Sequence, residues 1–548
     1  MRHRQLALTA LLGLGVLGGV GVWARPDVQS VPTHRFFHVQ LGANEAQPLS
    51  GRLLLFAMDA ATAKAEAKGG AVTEVDANPF RSSQTAIADD DVDRIAPGQM
   101  IDIDADRQAF PSAWSKLPPG DYVVQAVLDV HHNYNYLGRS AGDVLSNVVT
   151  VHLPSNGIPT LTLDETVPSH DPWQLPDSMP QALRQGAIAA RDHSQPVDFT
   201  SPSLSAFWGR PIHMFARVLL PPGYDASADK RYPVVYETHG FGGNIDRFAR
   251  MMAYVENGMV SGQMPPMIWV FLDESSATGT HEFADSVNNG PWGQALTTEL
   301  IPYLEAHYKM DADVSGRFLN GHSSGGWATL WLQTRYPKVF GGTWSTSPDP
   351  SDFHDFTGPD LYAPHANVYH KPDGTPWPLV RDQGKVLGTF EQFAKMEQVI
   401  GPYGGQMASF EWVFSPRDKD GRPEQMFNRD TGDVDPSVVA YWRDHYDIAH
   451  RLQDNWPALK PDLDGKIHLY VGTADTFYLD GAAHRLKAVL DGLQANSDIR
   501  FIPGRTHFDL YKEGDDPYGL LKSISWAMYA VARPDAKLKS PVSQSAKP

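Results

Sequence analysis

Arg317-Phe318-Leu319-Asn320-Gly321-His322-Ser323-Ser324-Gly325-Gly326-Trp327-Ala328 is the stretch on which the fold turns. An apolar lead-in reads as a strand, and residues 328–336 read as a helix closed by Pro337. Between them stands G-x-S-x-G. A nucleophile on a sharp strand-to-helix turn needs small residues two before and two after it, where any side chain would crowd the backbone. Such a turn exposes the hydroxyl and aims the helix N-terminus at negative charge developing beside it. Ser324 is the rival within the motif, but His322 stands two before it, so Ser323 is the candidate nucleophile.

The motif alone is weak, since this glycine content gives roughly a quarter of a match by chance. Gly138-Arg139-Ser140-Ala141-Gly142 is a second match and a useful control. A β-like run, residues 148–153, follows it. No helix opens there, so Ser140 reads as an inert loop serine.

Working outward from Ser323, strand and helix patterns alternate from about residue 198 to 533. Candidate strands lie at residues 212–220, 232–238, 267–272, 466–471 and 499–502. The alternation implies an α/β unit with a mostly parallel sheet. It breaks down at residues 347–463, a stretch rich in Trp, Tyr, Phe, Asp and Pro, which reads as an insertion capping the sheet. Residues 32–166 are different: short strands between Gly, Pro and Asp turns suggest an added N-terminal β-sandwich-like domain. Residues 167–197 read as a linker with one short helix, the acidic run Asp89 to Asp93 as a solvated loop, and residues 534–548 as a disordered tail.

The other parts of an acyl-transfer site fall in order. A serine hydroxyl near its normal pKa needs a base, and the base needs an orienting carboxylate. Asp475 follows Gly472-Thr473-Ala474 at the end of a strand, and His507 comes one helix and one strand later, in the loop after residues 499–502. Asp480 opens a helix, where a carboxylate is a common N-terminal cap. His484 on a helix and His468 within a strand fit worse than His507. At the end of strand 232–238 comes His239-Gly240-Phe241-Gly242-Gly243, whose glycines allow a substrate to approach the backbone. The N–H groups of Phe241 and Ser324 are the candidate oxyanion donors. Asn288, Trp292 and Tyr478 are candidate substrate-binding residues, because ligands bind beyond strand C-termini in open α/β sheets. Trp344 and Phe353 are further guesses of the same kind.

Residues from about 207 onward resemble a group of α/β-hydrolase esterases that includes enterochelin esterases, feruloyl esterases, S-formylglutathione hydrolases and mycolyltransferases. The resemblance rests on Tyr232-Pro233-Val234-Val235-Tyr236, the His239 to Gly243 run, the Gly321 to Gly326 run, Tyr336-Pro337-Lys338-Val339-Phe340-Gly341, Asp475-Thr476-Phe477 and His507. It implies an α/β-hydrolase fold, a Ser323–Asp475–His507 triad and serine esterase activity on a small-molecule or carbohydrate-linked ester. The same triad would serve an acyltransferase; a secreted binding protein with a vestigial hydrolase domain is the third reading. The longer insertion departs from compact members and leaves the substrate open.

Composition narrows the rest. A net charge of −18 repels phosphate backbones, so no nucleic-acid partner is expected. With 0 Cys there is neither a disulfide nor a thiolate metal site. His281-Glu282 lacks the second His of H-E-x-x-H, and His131-His132 has no matching set, so neither metal nor cofactor is expected. Residues 1–24 carry a basic start, an apolar Leu/Gly/Val run and a small residue at Ala24. This reads as a secretory signal, cleaved rather than kept as an anchor, and implies a periplasmic or extracellular bacterial protein. All expected catalytic groups follow residue 167, so removing the β domain is expected to lower stability or substrate range but to spare the chemistry.

Overall fold

The computed structural model describes residues 34–135, 138–401 and 405–538. The signal segment at residues 1–24 lies outside these, as do residues 539–548 of the tail.

The N-terminal strands join into one hydrogen-bonded nine-stranded sheet. Along the strand Leu49–Asp59, successive side chains go to opposite faces. Leu53, Leu55 and Ala57 join Val39, Val124 and Trp114 in an inner core. Leu54, Phe56 and Met58 pack on the outer face with Tyr134. Strands Met100–Asp104 and Ala109–Phe110 stand at opposite ends of the sheet order, yet only residues 105–108 connect them. Such a link spans at most about 14 Å. The sheet therefore curls until its ends meet. The sandwich-like core is enclosed by one folded-over sheet, not by two separate ones.

The acidic run is not a loop: Asp89 to Asp93 belongs to the strand Thr85–Ile95. Period-two alternation puts Asp89, Asp91 and Asp93 on the outer face with Ile87; the insertion covers Asp89, 3.3 Å from the buried Arg52, while Asp91 and Asp93 farther along the strand are exposed. Burial pushes the Asp89 carboxyl up to about 7 against the pull of Arg52.

The second sheet has eight strands, here β1 (Ser194–Thr200), β2 (His213–Leu219), β3 (Val234–Thr238), β4 (Ile268–Leu272), β5 (Arg317–His322), β6 (Gly342–Thr346), β7 (Ile467–Gly472) and β8 (Ser497–Ile502). Their order is β1-β2-β4-β3-β5-β6-β7-β8. β2 runs antiparallel to β1 and β4, and the remaining pairs are parallel. This topology is the α/β-hydrolase fold. β3, β4 and β6 are buried along their whole length, as strands with helices on both faces must be. Two parts of the stretch read as a linker pack into this unit: the helix Gln181–His193 lies against Ala249–Val260, and β1 is the sheet edge.

Between β6 and β7 come the hairpin Pro378–Asp382 with Lys385–Thr389 and the helices Phe390–Ile400, Gln406–Phe414, Pro436–Tyr446 and Ile448–Leu463. The helix Phe390–Ile400, started by a Thr389–Gln392 capping box, has two apolar faces. Phe390 and Phe393 pack with Trp327 of the hydrolase unit and with Phe410 of the next insertion helix. Met396, Val399 and Ile400 pack on the outer face of the N-terminal sheet. Arg52 Nη1 donates to Val399 O at 3.3 Å, and Gln108 Nε2 to Gln398 O at 2.7 Å. One helix is thus shared by both units. Ile400→Ala should destabilise the protein by about 2–5 kcal/mol in chemical denaturation, whereas Val386→Ala, at a half-exposed position of the hairpin, should change it by less than about 0.5 kcal/mol.

Candidate active site

β5 ends in the turn that the glycine spacing implies. Ser323 has φ +62° and ψ −125°, and the helix Ser324–Arg335 starts at the next residue. A positive φ at a non-glycine residue is strained and needs surroundings that over-determine it. Those surroundings are backbone. A Cβ on Gly321 would come 2.4 Å from Gly325 O, and one on Gly325 would come 2.5 Å from His239 O. The turn is thereby wedged against the end of β3. Ser324 stands at the first helical position, so its N–H has no partner inside the helix.

The loop after β3 is set by His239. Its Nδ1 lies 2.9 Å from Gly240 O, and its Nε2 accepts from Glu274 N at 3.0 Å. Nε2 also lies 3.1 Å from Asp273 Oδ1, so the ring is anchored on both of its nitrogens. The ring so placed holds Gly240 and Phe241 over Ser323: a Cβ on Gly240 would meet Ser323 Cβ at 3.0 Å.

The loops after β7 and β8 bring Asp475 and His507 together. Ala474 N donates to Arg505 O at 3.0 Å, and Gly504 N to Thr473 Oγ1 at 2.9 Å. Across this junction His507 Nδ1 lies 3.0 Å from Asp475 Oδ2, with both residues buried. Burial opposes ionisation of Asp475. The imidazole, together with the N–H groups of Phe477 (2.9 Å) and Leu479 (3.3 Å), outweighs it and holds the carboxyl below its usual range. His322 packs 4.4 Å from the His507 ring, and burial and that neighbour lower its pKa to about 3, so it remains neutral.

Ser323 and His507 open into one cavity of about 480 Å³, which Phe241 and His239 also line. Its remaining wall is strongly apolar. Phe248 and Met251 come from the hydrolase unit, and Phe356, Leu379, Met407 and Phe410 from the insertion. Phe477 and Phe508 flank the imidazole. Phe80 comes from the N-terminal domain.

The sequence candidates divide accordingly. Ser323, Asp475, His507, Phe241 and Ser324 are brought together. Asn288, Trp292 and Tyr478 are not. Asn288 is buried under the insertion, its Nδ2 donating to Ser415 O at 2.8 Å. Trp292 is core, stacked 3.6 Å from His281. Tyr478 turns away beneath Arg381, whose guanidinium lies 4.2 Å from its ring centre. Trp344 and Phe353 are also core residues. Asp480 pairs with Arg381 at 2.7 Å, not with the imidazole. Ser140 lies in the loop before the strand Val144–Ser146, its N–H donating to Asp143 Oδ2 at 2.6 Å, with no helix after it.

Two residues that the sequence did not single out hold the site in shape. Arg381, on the insertion hairpin, donates from Nε to Asp475 O at 2.7 Å, and its N–H to Thr476 O at 2.9 Å. Asp349 accepts from Ser324 Oγ at 2.5 Å, and its own N–H donates to Ser323 O at 3.2 Å.

Residues 206–508, more than half of the chain, match the family model described as "Putative esterase". The chain belongs to this esterase family. A segment is 29% identical over 134 residues to an endo-1,4-beta-xylanase/feruloyl esterase of Xylanibacter ruminicola, covering 23% of this chain and 18% of that protein. Another is 32% identical over 142 residues to an esterase of Mycobacterium tuberculosis, covering 25% and 30%. The chain therefore matches less than a third of the length of either relative. Among solved structures, a CE1 ferulic acid esterase from Anaeromyces mucronatus is similar over 61% of this chain and 89% of its own, at 15% identity and a TM-score of 0.33. An S-formylglutathione hydrolase from Agrobacterium tumefaciens is similar over 62% and 94%, at 14% identity and a TM-score of 0.35.

Burial pushes the Asp349 carboxyl up to about 6, against the Ser324 hydroxyl bond and the nearby imidazole, which pull it down. An unfolded aspartate titrates near 3.9. The folded state therefore holds the proton more tightly, and the stability this gives is present at low pH and is lost as pH rises through about 6. Relative to Asp349→Asn, the wild type should lose about 2 kcal/mol of unfolding free energy between pH 4 and pH 7. Urea melts of both proteins across that range measure the difference.

Proposed function

We propose that this protein is a serine hydrolase that cleaves carboxylic esters through an acyl-enzyme on Ser323. The observation that carries the reading is the buried Asp475–His507 contact opening onto the cavity in which Ser323 stands on its strained turn. In this reading His507 takes the Ser323 proton as the hydroxyl attacks the carbonyl carbon. Asp475 keeps the imidazole in the tautomer that presents Nε2, and it favours the imidazolium that forms. The N–H groups of Phe241 and Ser324 receive the oxyanion. His507 then protonates the alcohol as it leaves, and water attacks the acyl-enzyme by the same route in reverse.

Membership of the esterase family supports ester chemistry. The apolar wall supports a substrate with a sizeable apolar part, since such a wall gains from losing its water. Export is part of the proposal, supported by the basic, apolar and small-residue pattern of residues 1–24; mass spectrometry of the secreted protein would locate the cleavage. Among the described residues no helix is long and apolar enough to cross a membrane.

Ser323→Ala should abolish both ester turnover and labelling by a fluorophosphonate, with a turnover loss on the order of 10⁶-fold, while Ser140→Ala should keep both. Asp475→Asn should slow acylation by about 10⁴-fold near neutral pH, with a rate that climbs steeply as hydroxide bypasses the misoriented base. Asp480→Asn should cost far less. An active, unlabelled Ser323→Ala protein would overturn the reading.

A further inference from the structure

Phe80 sits where nothing catalytic is expected, on a short turn of the N-terminal domain. The turn Pro79–Gln84 is capped by Asn78, whose side chain accepts from Phe80 N at 2.9 Å. Proline at the first position fixes φ there, and the cap fixes the direction in which the turn leaves the sheet. Pro79 O lies close to Gly388 of the insertion hairpin, and the turn packs against the helix Phe390–Ile400. The Phe80 ring is therefore held over the hydrolase unit by two contacts besides its own.

What it reaches is the wall beside the base. The Phe80 ring centre lies 5.6 Å from Phe508, edge-on, and 6.3 Å from Phe477. Phe477 and Phe508 are 5.9 Å from one another, and they stand 5.0 Å and 5.4 Å from the His507 ring. Three aromatic rings form a triangle against the imidazole. The triangle is not sealed: Phe508 is 68% exposed. A large ring kept this open beside a reacting centre leaves apolar surface that an apolar ligand would cover.

The chemistry says which part of the ester lies there. In acylation the Ser323 Oγ–carbon bond forms and the bond from that carbon to the alcohol oxygen breaks. The proton from Ser323 passes through His507 to the leaving oxygen, so the alcohol must depart on the imidazole side. The groups flanking His507 therefore surround the alcohol, and the acyl part takes the rest of the cavity.

We propose that the N-terminal β domain is part of the substrate site, with Phe80 completing a subsite for the alcohol portion of the ester that favours bulky apolar alcohols. This rests on the serine-esterase reading. It gives a cause for the expectation that losing the domain would narrow substrate range but spare the chemistry: the catalytic groups are all outside it, but one wall of the site is inside it.

The test uses the full chain and two ester series. Ethyl and 2-phenylethyl acetate differ only in the alcohol; ethyl acetate and ethyl octanoate differ only in the acyl group. Phe80→Ala should lower the kcat/KM ratio of 2-phenylethyl to ethyl acetate by about tenfold, mainly through KM, and should shift the octanoate-to-acetate ratio by less than about twofold. Phe80→Leu, which keeps apolar bulk without the ring, should give an intermediate alcohol ratio. Equal shifts in both series, or a shift in the acyl series alone, would overturn the proposal. Fluorophosphonate labelling of the wild type at Ser323 separates the two readings. Labelled enzyme with an unchanged alcohol ratio removes only the subsite; wild type that never labels removes both.

Discussion

Asp475 carries its charge almost without solvent, and much of the neighbouring structure exists in relation to that charge. A lone buried carboxylate would take up a proton rather than stay ionised. Here the Phe477 and Leu479 N–H groups and the His507 imidazole reverse that tendency. The arrangement works only if the loops after β7 and β8 meet at one distance, and backbone bonds between residues 472–475 and 502–505 hold them there. A Cβ on Gly472 would meet Arg505 O at 2.0 Å, so the contact has no room for any side chain. Arg381 adds a clamp from outside, gripping the Asp475 carbonyl and the Asp480 carboxylate together.

The same buried setting accounts for the acids that are not paired in this way. Burial raises the carboxyls of Glu237, Glu274 and Glu282 well above the usual range. Glu274 is fully buried and neither of its oxygens has a hydrogen-bond partner. Burial thus works against a charge on any of the three. A neutral His322 packs on one side of the His507 ring and aromatic rings on the other, while Asp349 adds a second carboxyl to the cavity that ionises only above about pH 6. Low local dielectric strengthens each interaction with the Asp475 charge, including those of the developing imidazolium.

Three separate pieces of chain build the cavity, and their coupling runs through the helix Phe390–Ile400. Its inner face supplies Phe393 to the cavity wall, and its outer face is buried on the N-terminal sheet. Without that sheet, Met396, Val399 and Ile400 would face water. The apolar cost would fall on the very helix that helps shape the pocket. The N-terminal domain is therefore tied to the site twice, through this helix and through Phe80.

Local chemistry was legible in the sequence. Ser323 was readable because a nucleophile turn tolerates only small residues at two fixed offsets, and Ser140 failed the same test because no helix follows it. The meeting of Asp475 and His507 was readable because each follows the end of a neighbouring strand of the sheet. Alternation between strands and helices was enough for the fold of the hydrolase unit. The acidic run Asp89 to Asp93 misled, because Arg52, the partner that lets Asp89 be buried, is 37 residues away in the chain and pairs only across the sheet. Asn288 and Trp292 misled because a position after a strand end does not say whether an insertion will cover it. Phe80, Arg381 and Asp349 carry no local pattern at all. The sequence by itself determined the sharp turn at Ser323 and which strands Ser323, Asp475 and His507 follow, since those signals lie within a few residues of each position. Only the tertiary structure decided what walls the cavity, because packing unites side chains by shape and apolar area across hundreds of residues, and neither leaves a periodic mark along the chain.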